Sequence, residues 1–557
     1  MNKKVETESI EYKVGDILGI VTPFEFYMAI KPGATSLQDL VCLNRINTEG
    51  KKERIWTKVV NIELFNPLLP KEAVHEVASA GDRILDTVLS LSREMVTAKV
   101  QIIGAENLDD EEKKGELSTL NYPPNPGSPV FRPIKEDIQN ILLGNIKDHC
   151  KLHIGKLRSR SDVDVFIDAN PVVQRHLGIL AMTGAGKSWT CRKILQELVQ
   201  KDYPIIIFDP HGDYAGLKER YSKQTTIYNP TIHYDQDNKD TTINLIQTFS
   251  FNFTEIMLEN LAKAFDFITH QNYKKKRVEA KELCEKNEIY FYDEANIWGI
   301  KNTFEALIEL RNLKIDKNIL KTAYPTQLID ARIGTLQGCL TRCNVAGKRI
   351  NTMIEQNKQS YKKYSSKALP KDIKEIIGKS KISIIGLAGY DVTVQAGMVA
   401  TILNDLMSER VKDNIKLPFL CVIEEAHNFA PGEARESEGQ TSSLIALRRI
   451  ATEGRKFGVG LILISQRPSR LNQTIASQCN SFIIMRTVNP ADQMYVKNIV
   501  ESLGKEEAGL LQELQVGEAL ITGQIVRFPL LVKIDPPESR GTHEEEDLIK
   551  FIEDYNE

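Results

Sequence analysis

The chain has 557 residues, of which 41% are hydrophobic and 26% charged, and a formal net charge of −3. That balance suits a soluble protein of several domains with an ample core. It excludes a disordered polyelectrolyte, and it excludes a chain that holds nucleic acid by overall positive charge, so any such contact must come from a local basic surface. No apolar run approaches the length of a membrane span, the opening MNKKVETESIEYK has no apolar signal region, and the eight cysteines lack paired metal-ligand spacing, which together point to a reduced, cytoplasmic protein.

Residues 1–150 read as β-rich. The segments 14–21, 25–30 and 93–104 are strand-like and bounded by turn residues, and the proline- and glycine-rich stretch 122–129 reads as a rigid linker. With 18 basic and 23 acidic residues and no catalytic constellation, this part is expected to be a small barrel used for assembly or docking. His149, Cys150 and His153 cluster without a fourth partner and read as ordinary reduced residues.

A sharper signal follows. Leu177–Leu180 is a short buried strand, AMTGAGKSWT occupies 181–190, and 191–199 has apolar positions at helical spacing. Strand, glycine-rich turn, Lys-Ser and helix form a phosphate-binding context. Gly184 and Gly186 let backbone N–H groups turn inward, Lys187 can place a charge on the β- and γ-phosphates, and the Ser188 hydroxyl can ligate Mg²⁺. Ala181 replaces the first glycine of the usual pattern, a small change at a tight turn. A second apolar strand, 204–208, ends in Asp209-Pro210-His211-Gly212-Asp213-Tyr214. A carboxylate at that strand tip faces the ligand crevice of a parallel α/β sheet, while Asp213 reads nearly as well as part of a turn network.

Residues 246–380 lose strand character and become helical and polar, with 23 Lys and Arg against 16 Asp and Glu between 251 and 380. They form either solvated helix faces or a nucleic-acid or partner surface. Strand character returns at 382–387, a helix is expected over 393–412, and 419–423 is an apolar strand that runs into Glu424 and Glu425. Together with the upstream phosphate loop this is a Walker B pattern, with Glu424 as the metal-side acid through water and Glu425 as the general base. A helix is expected over 442–453, then the turn GRKFG (454–458), then a strand over 459–464. Gln466 sits at that strand's tip, where it can sense a γ-phosphate. Arg448, Arg449, Arg455 and Lys456 crowd the preceding helix end with only Glu453 nearby, as cations aimed at an anion or as caps of the helix C-terminus. Strands over 481–486 and 516–523 close the core, and an acidic tail begins at Pro536.

In Arg175-His176-Leu177, TGAGKS, FDPHGDY, VIEEAHNFAP, EGRKFGVGLILISQRPS (453–469), SQCNSFIIMR (477–486) and VGEALITGQIVRFPLLVKI (516–534), the chain resembles HerA-type hexameric DNA translocases, relatives of the FtsK pumps. The likeness covers about 151–245 and 380–535, and the β-rich start is similar to the family's HAS barrel. The helical insertion matches only in position, and Asp213 stands where the family more often has Glu. The resemblance implies an α/β fold with a RecA-like P-loop ATPase core (151–245 and 381–535), an N-terminal β-barrel (1–150), a helical insertion (246–380) and an acidic tail (536–557). It implies a homo-hexamer with ATP and Mg²⁺ between subunits and double-stranded DNA in the central channel. It assigns Lys187, Ser188, Asp209, Glu424, Glu425 and Gln466 to the ATP site, with Thr183, Gly184, Ala185, Gly186 and Trp189 around the nucleotide and trans-acting arginines among Arg175, Arg449 and Arg455. Arg435 would line the channel by that resemblance; the alternative for the basic insertion, around Lys348, Arg349, Lys362 and Lys363, is a place on the ring face. An effector would dock on the barrel: a nuclease in DNA end processing, or a nuclease or sirtuin-like NADase in anti-phage defence. Two readings follow, a DNA translocase working with a nuclease and a ring that mainly scaffolds a defence effector. A metabolic P-loop kinase is disfavoured by the paired glutamates and strand-tip glutamine.

Overall fold

The computed structural model describes residues 12–47, 50–65, 95–110, 115–230, 239–250, 253–364, 366–432, 441–500 and 503–539. Arg435 and the acidic tail from 540 lie outside them, as do the side chains of Lys362 and Lys363. Six strands come first: β1 (Tyr12–Leu18), β2 (Glu25–Ile30), β3 (Leu40–Ile46), β4 (Lys52–Phe65), β5 (Met95–Asn107) and β6 (Pro129–Arg132). Then come β7 (Lys151–Leu157), β8 (Arg160–Asp168), β9 (Leu177–Leu180), β10 (Ile205–Asp209), β11 (Thr225–Asn229), β12 (Lys367–Ala368), β13 (Ile382–Gly386), β14 (Phe419–Ile423), β15 (Val459–Ser465), β16 (Ser481–Met485), β17 (Glu518–Gly523) and β18 (Leu530–Ile534). Tertiary contacts divide the chain into two units. One comprises Met1–Lys201, Gln466–Ser469 and Cys479–Pro537, and the other Asp202–Ser465, Arg470–Gln478 and Glu538–Glu557.

In the first unit β1–β6 close into an antiparallel barrel in the order β1-β2-β5-β4-β3-β6. Closure pairs every edge. The two-residue period puts Phe26, Met28 and Ile30 of β2 inside and Glu25 and Tyr27 outside. Sequence reading misses β3, whose first four residues are all buried and do not alternate, and β4, which opens on Lys52 and Glu53. It also misplaces 122–129 as a linker. Gly127 and Ser128 are hydrogen-bonded to Ile17, and Pro129 begins the closing strand β6, which pairs with β1 and β3. Turn chemistry is the same in a linker and within a barrel, so only the pairing distinguishes them.

The rest of this unit is a sheet in the order β9-β16-β17-β18-β7-β8, parallel only between β9 and β16. The barrel is fastened to it. Lys58 of β4 pairs with Glu507 of the helix Lys505–Leu510 at 2.7 Å, both buried. The Arg527 guanidinium donates to the carbonyls of Gly115 and Ile141, the latter in the last turn of the helix Lys135–Leu143. Burial lowers the Arg527 pKa.

The second unit holds a parallel sheet in the order β12-β11-β13-β10-β14-β15. β10 and β14 are buried at every residue, as continuous apolar strands covered on both faces are. Between β11 and β12 runs the helical insertion, from Lys239–Phe249 to the long helix Ile333–Tyr364, around Phe267, Phe304, Leu307, Tyr324 and Leu328. Two of the four consecutive cations Lys274, Lys275, Lys276 and Arg277 are structural. Lys276 Nζ donates to the carbonyls of Lys321 and Tyr324, and Arg277 Nη1 to those of Phe267 and His270, so each satisfies the orphan carbonyls of a helix end.

One helix is longer than expected. It spans Thr441–Phe457, so GRKF belongs to it, and Gly458 ends it at φ +68. Gly454 is not a breaker there. A Cβ at that position would lie 2.7 Å from the Val459 carbonyl oxygen, so the glycine permits close packing of helix on strand. Among the described residues no helix is long and apolar enough to cross a membrane. The α/β class, the N-terminal barrel and the helical insertion are all present.

Candidate functional site

The phosphate loop belongs to the first unit. β9 is buried throughout and delivers the chain into Ala181, whose methyl group is fully enclosed, so the departure from glycine fits the packing. Gly184 and Gly186 have φ of +78 and +105, values that would strain any other residue. Gly186 precedes the helix Lys187–Val199, whose N-terminus carries no side-chain cap at Gly186 and borders the loop. Lys187 Nζ bends back to the Met182 carbonyl oxygen at 3.3 Å. The loop is braced from behind, where Gly517 N–H donates to the Ala185 carbonyl and Met182 N–H to that of Arg486.

Gln466 meets this loop directly, its Oε1 accepting from the Thr183 hydroxyl at 2.6 Å. Beside them opens a cavity of about 510 Å³ lined by Met182, Gln466, Val488, Asn489, Pro490 and Asp492, most of which sequence reading did not single out. Asp492 is buried and accepts from the Ser469 N–H at 2.9 Å, which ties the two loops together. Trp189, one residue past Ser188, is 54% exposed. Arg175 is engaged elsewhere in the unit, its guanidinium on the Gln524 side chain and its carbonyl accepting from Asn480 N–H.

The acidic groups belong to the second unit. Asp209, at the tip of β10, is fully buried, and its carboxylate accepts the N–H groups of His211, Gly212, Asp213 and Tyr214 at 2.8–3.3 Å. Burial raises its pKa and the N–H donors oppose that rise. Asp209 therefore shapes the turn DPHGDY, the network role that sequence reading gave sooner to Asp213. That turn presents Tyr214, which the sequence did not flag. Its buried hydroxyl donates to Glu424 Oε2 at 2.6 Å, so the tips of β10 and β14 are joined by one hydrogen-bonded chain. Glu425, the next residue, is buried in left-handed backbone at φ 50 and ψ 46. A non-glycine residue held there is re-aimed, here out of line with the strand that precedes it. On the helix Thr441–Phe457, Arg449 Nε lies 3.5 Å from Glu453, while Arg455 and Lys456 are exposed in the last turn. All eight cysteines are buried and free of disulfides, and among the described residues no group of three or more His, Cys, Asp or Glu could hold a metal ion.

A family described as the central domain of the helicase HerA matches residues 152–406. The DNA double-strand break repair helicase HerA of Sulfurisphaera tokodaii is 30% identical over 78% of this chain and 78% of its own. The chain belongs to the HerA helicase family. A probable helicase of Methanocaldococcus jannaschii is likewise 30% identical, over 82% of this chain and 80% of its own. HerA of Pyrococcus furiosus is 28% identical over 79% and 78%. Among solved structures, VirB4 of Thermoanaerobacter pseudethanolicus aligns with a TM-score of 0.44 at 14% identity, over 70% of this chain and 97% of that one. HerA-type membership makes the chain an ATP hydrolase, in keeping with its phosphate loop.

Proposed function

We propose that this HerA-type enzyme hydrolyses ATP with Glu425 as the general base and uses the cycle to translocate double-stranded DNA through a homo-hexameric ring in the cytoplasm. The observation that carries the assignment is the unlike treatment of two adjacent acids. Glu424 is pinned by the Tyr214 hydroxyl, whereas Glu425 is turned into left-handed backbone by the very next peptide. Glu424 thereby suits a fixed, metal-side role and Glu425 the handling of a proton.

The loop N–H groups around Thr183, Gly184, Ala185 and Gly186, with Lys187, would bind the phosphates of ATP. Ser188 and Glu424 supply hard oxygen donors of the kind Mg²⁺ takes alongside phosphate oxygens and water, and the bound ion would neutralise charge developing on the phosphates. Gln466, bonded to Thr183, would orient the attacking water, and Glu425 would accept its proton. Arg455, exposed in the last turn of the helix, or Arg449, half-buried at its middle beside Glu453, would reach the nucleotide of a neighbouring subunit. The barrel exposes Ile20 and Phe24, which supports its use as a docking surface for an effector, a nuclease in end processing or a nuclease or sirtuin-like NADase in anti-phage defence.

Glu425→Gln tests the central assignment. It should retain ATP binding and lose at least about 100-fold in turnover, the scale of a missing general base. Lys187→Ala should weaken binding itself. Turnover near wild type in Glu425→Gln refutes the role.

A further inference from the structure

Where the barrel meets the sheet of the first unit lies a cavity of about 380 Å³ that the nucleotide reaction does not use. Three of its lining side chains are polar: Lys58 on β4, Gln101 on β5, and Arg527 in the turn between β17 and β18. Lys58 and Gln101 are direct cross-strand partners, so they project from the same face of the β4–β5 ribbon. Ile102 and Ile103 also line the cavity, although consecutive residues of a regular strand face opposite ways. Ile103 is the extra residue of a bulge, since Trp56 pairs with Gly104 and Thr57 with Ile102. Such bulges re-aim side chains and are over-represented beside active sites.

Both cations here hold donors in reserve. The Lys58 ammonium has three N–H groups, its side chain is 4% exposed, and among the described residues its one acceptor is Glu507. Arg527 is exposed as a residue, but its Nη1 end is held by the carbonyls of Gly115 and Ile141, which leaves Nε and Nη2 without an acceptor among the described residues. Its seat is shaped for it: a Cβ at Gly144 would lie 2.7 Å from Nη1. The carboxylates of Glu106 and Glu116 act on Arg527 electrostatically without forming an ion pair among the described residues. Glu106 is taken by the Trp56 indole N–H and the Gly115 N–H, and Glu116 by the Asn145 amide.

The structure assigns this cavity as a binding site for a small organic oxyanion, a molecule with a phosphate or carboxylate at one end and an apolar body. The Nε and Nη2 edge of a guanidinium presents two parallel N–H groups, the fork that fits such an oxyanion, and the remaining ammonium hydrogens of Lys58 add charge. The volume lies in the range of small-molecule pockets and exceeds what a lone ion fills, and Ile102, Ile103, Leu117 and Phe528 wall the remainder. Lys58 and Gln101 belong to the barrel and Arg527 to the sheet, so the bound anion bridges the two and stabilises their junction. The site is separate from the phosphate loop and stands whatever role Glu425 has.

The test titrates the full-length assembled protein with inorganic phosphate, phenyl phosphate and benzoate by calorimetry. A non-hydrolysable ATP analogue with Mg²⁺ saturates the phosphate loop throughout, so that only a separate site is read. The better of the two aryl anions should bind at least about tenfold more tightly than inorganic phosphate, because its ring buries apolar surface. Which of them prevails tells whether the site takes a phosphate or a carboxylate. Arg527→Gln removes a charged donor and should weaken that binding at least about tenfold. Gln101→Glu sets a carboxylate beside the anion and should abolish it. Both variants should keep wild-type affinity for the ATP analogue, which shows that the protein remains folded. If Arg527→Gln does not fold, because its guanidinium also holds two carbonyls, Gln101→Glu decides on the same criterion. Three results overturn the assignment: neither aryl anion binds; the folded variants bind as wild type does; or neither aryl anion binds more tightly than inorganic phosphate, which leaves an adventitious ion only.

Discussion

The pair between Lys58 of the barrel and Glu507 of the core offers a quantitative check on how the first unit is held together. The two charges are 2.7 Å apart, with side chains 4% and 6% exposed. Their mutual attraction at an effective dielectric constant near 20 is about 6 kcal/mol, a gross value that desolvation of two ions, several kcal/mol each, largely cancels. The sign of the effect therefore depends on how the pair is broken. Lys58→Met strands Glu507 as an uncompensated buried charge and should destabilise the barrel junction by about 3–5 kcal/mol, and Glu507→Leu should act similarly. The combination Lys58→Met with Glu507→Leu replaces the pair with apolar groups of similar volume and should return to within about 1 kcal/mol of wild type, or above it. Hydrogen exchange across β4 and β5 reads the loss locally, and denaturant unfolding followed by Trp56, a fully buried indole two residues from Lys58, reads it globally. A double variant as unstable as the sum of the singles refutes the reasoning, because it would mean that side-chain packing and not charge burial sets the cost.

Tyr214→Phe removes the hydroxyl that holds Glu424 and should cost about 1.5–3 kcal/mol of local stability, the range for a hydrogen bond to a charged group, while raising the Mg²⁺ concentration needed for half-maximal turnover; an unchanged Mg²⁺ requirement would detach Tyr214 from the metal side. Arg449→Ala or Arg455→Ala should abolish turnover without unfolding, and mixing either with Glu425→Gln subunits should restore part of it, since mixed interfaces can hold an intact site; if no mixture recovers and hydrolysis is independent of assembly, the arginine acts within its own subunit. Affinity of the assembled protein for double-stranded DNA should fall steeply across a salt series and show little sequence preference, since phosphate contacts release counterions; strong sequence selectivity or salt-independent binding would count against translocation.

What the sequence determined by itself is what depends on near neighbours in the chain. The phosphate loop is legible because strand, two glycines, Lys187 and the helix follow one another within a few turns. β10 and β14 are legible because a strand covered on both faces must be apolar throughout, and the acids that end each run stand out against it. Tertiary structure decided the rest, because distant residues share the work. β3 does not alternate, and only pairing with β4 and β6 makes it a barrel strand. Gly454 looks like a helix breaker until the Val459 carbonyl is found against it. The order of Glu424 and Glu425 at the strand end already suggests different roles for them; what only the tertiary structure adds is the Tyr214 hydroxyl, from another strand's turn, on Glu424 and the left-handed backbone at Glu425, which no pattern of side chains announces. Nothing in the sequence marks Lys58 and Glu507 as a buried pair, since such a pair is costly and the letters carry no sign that their neighbours have taken the water away.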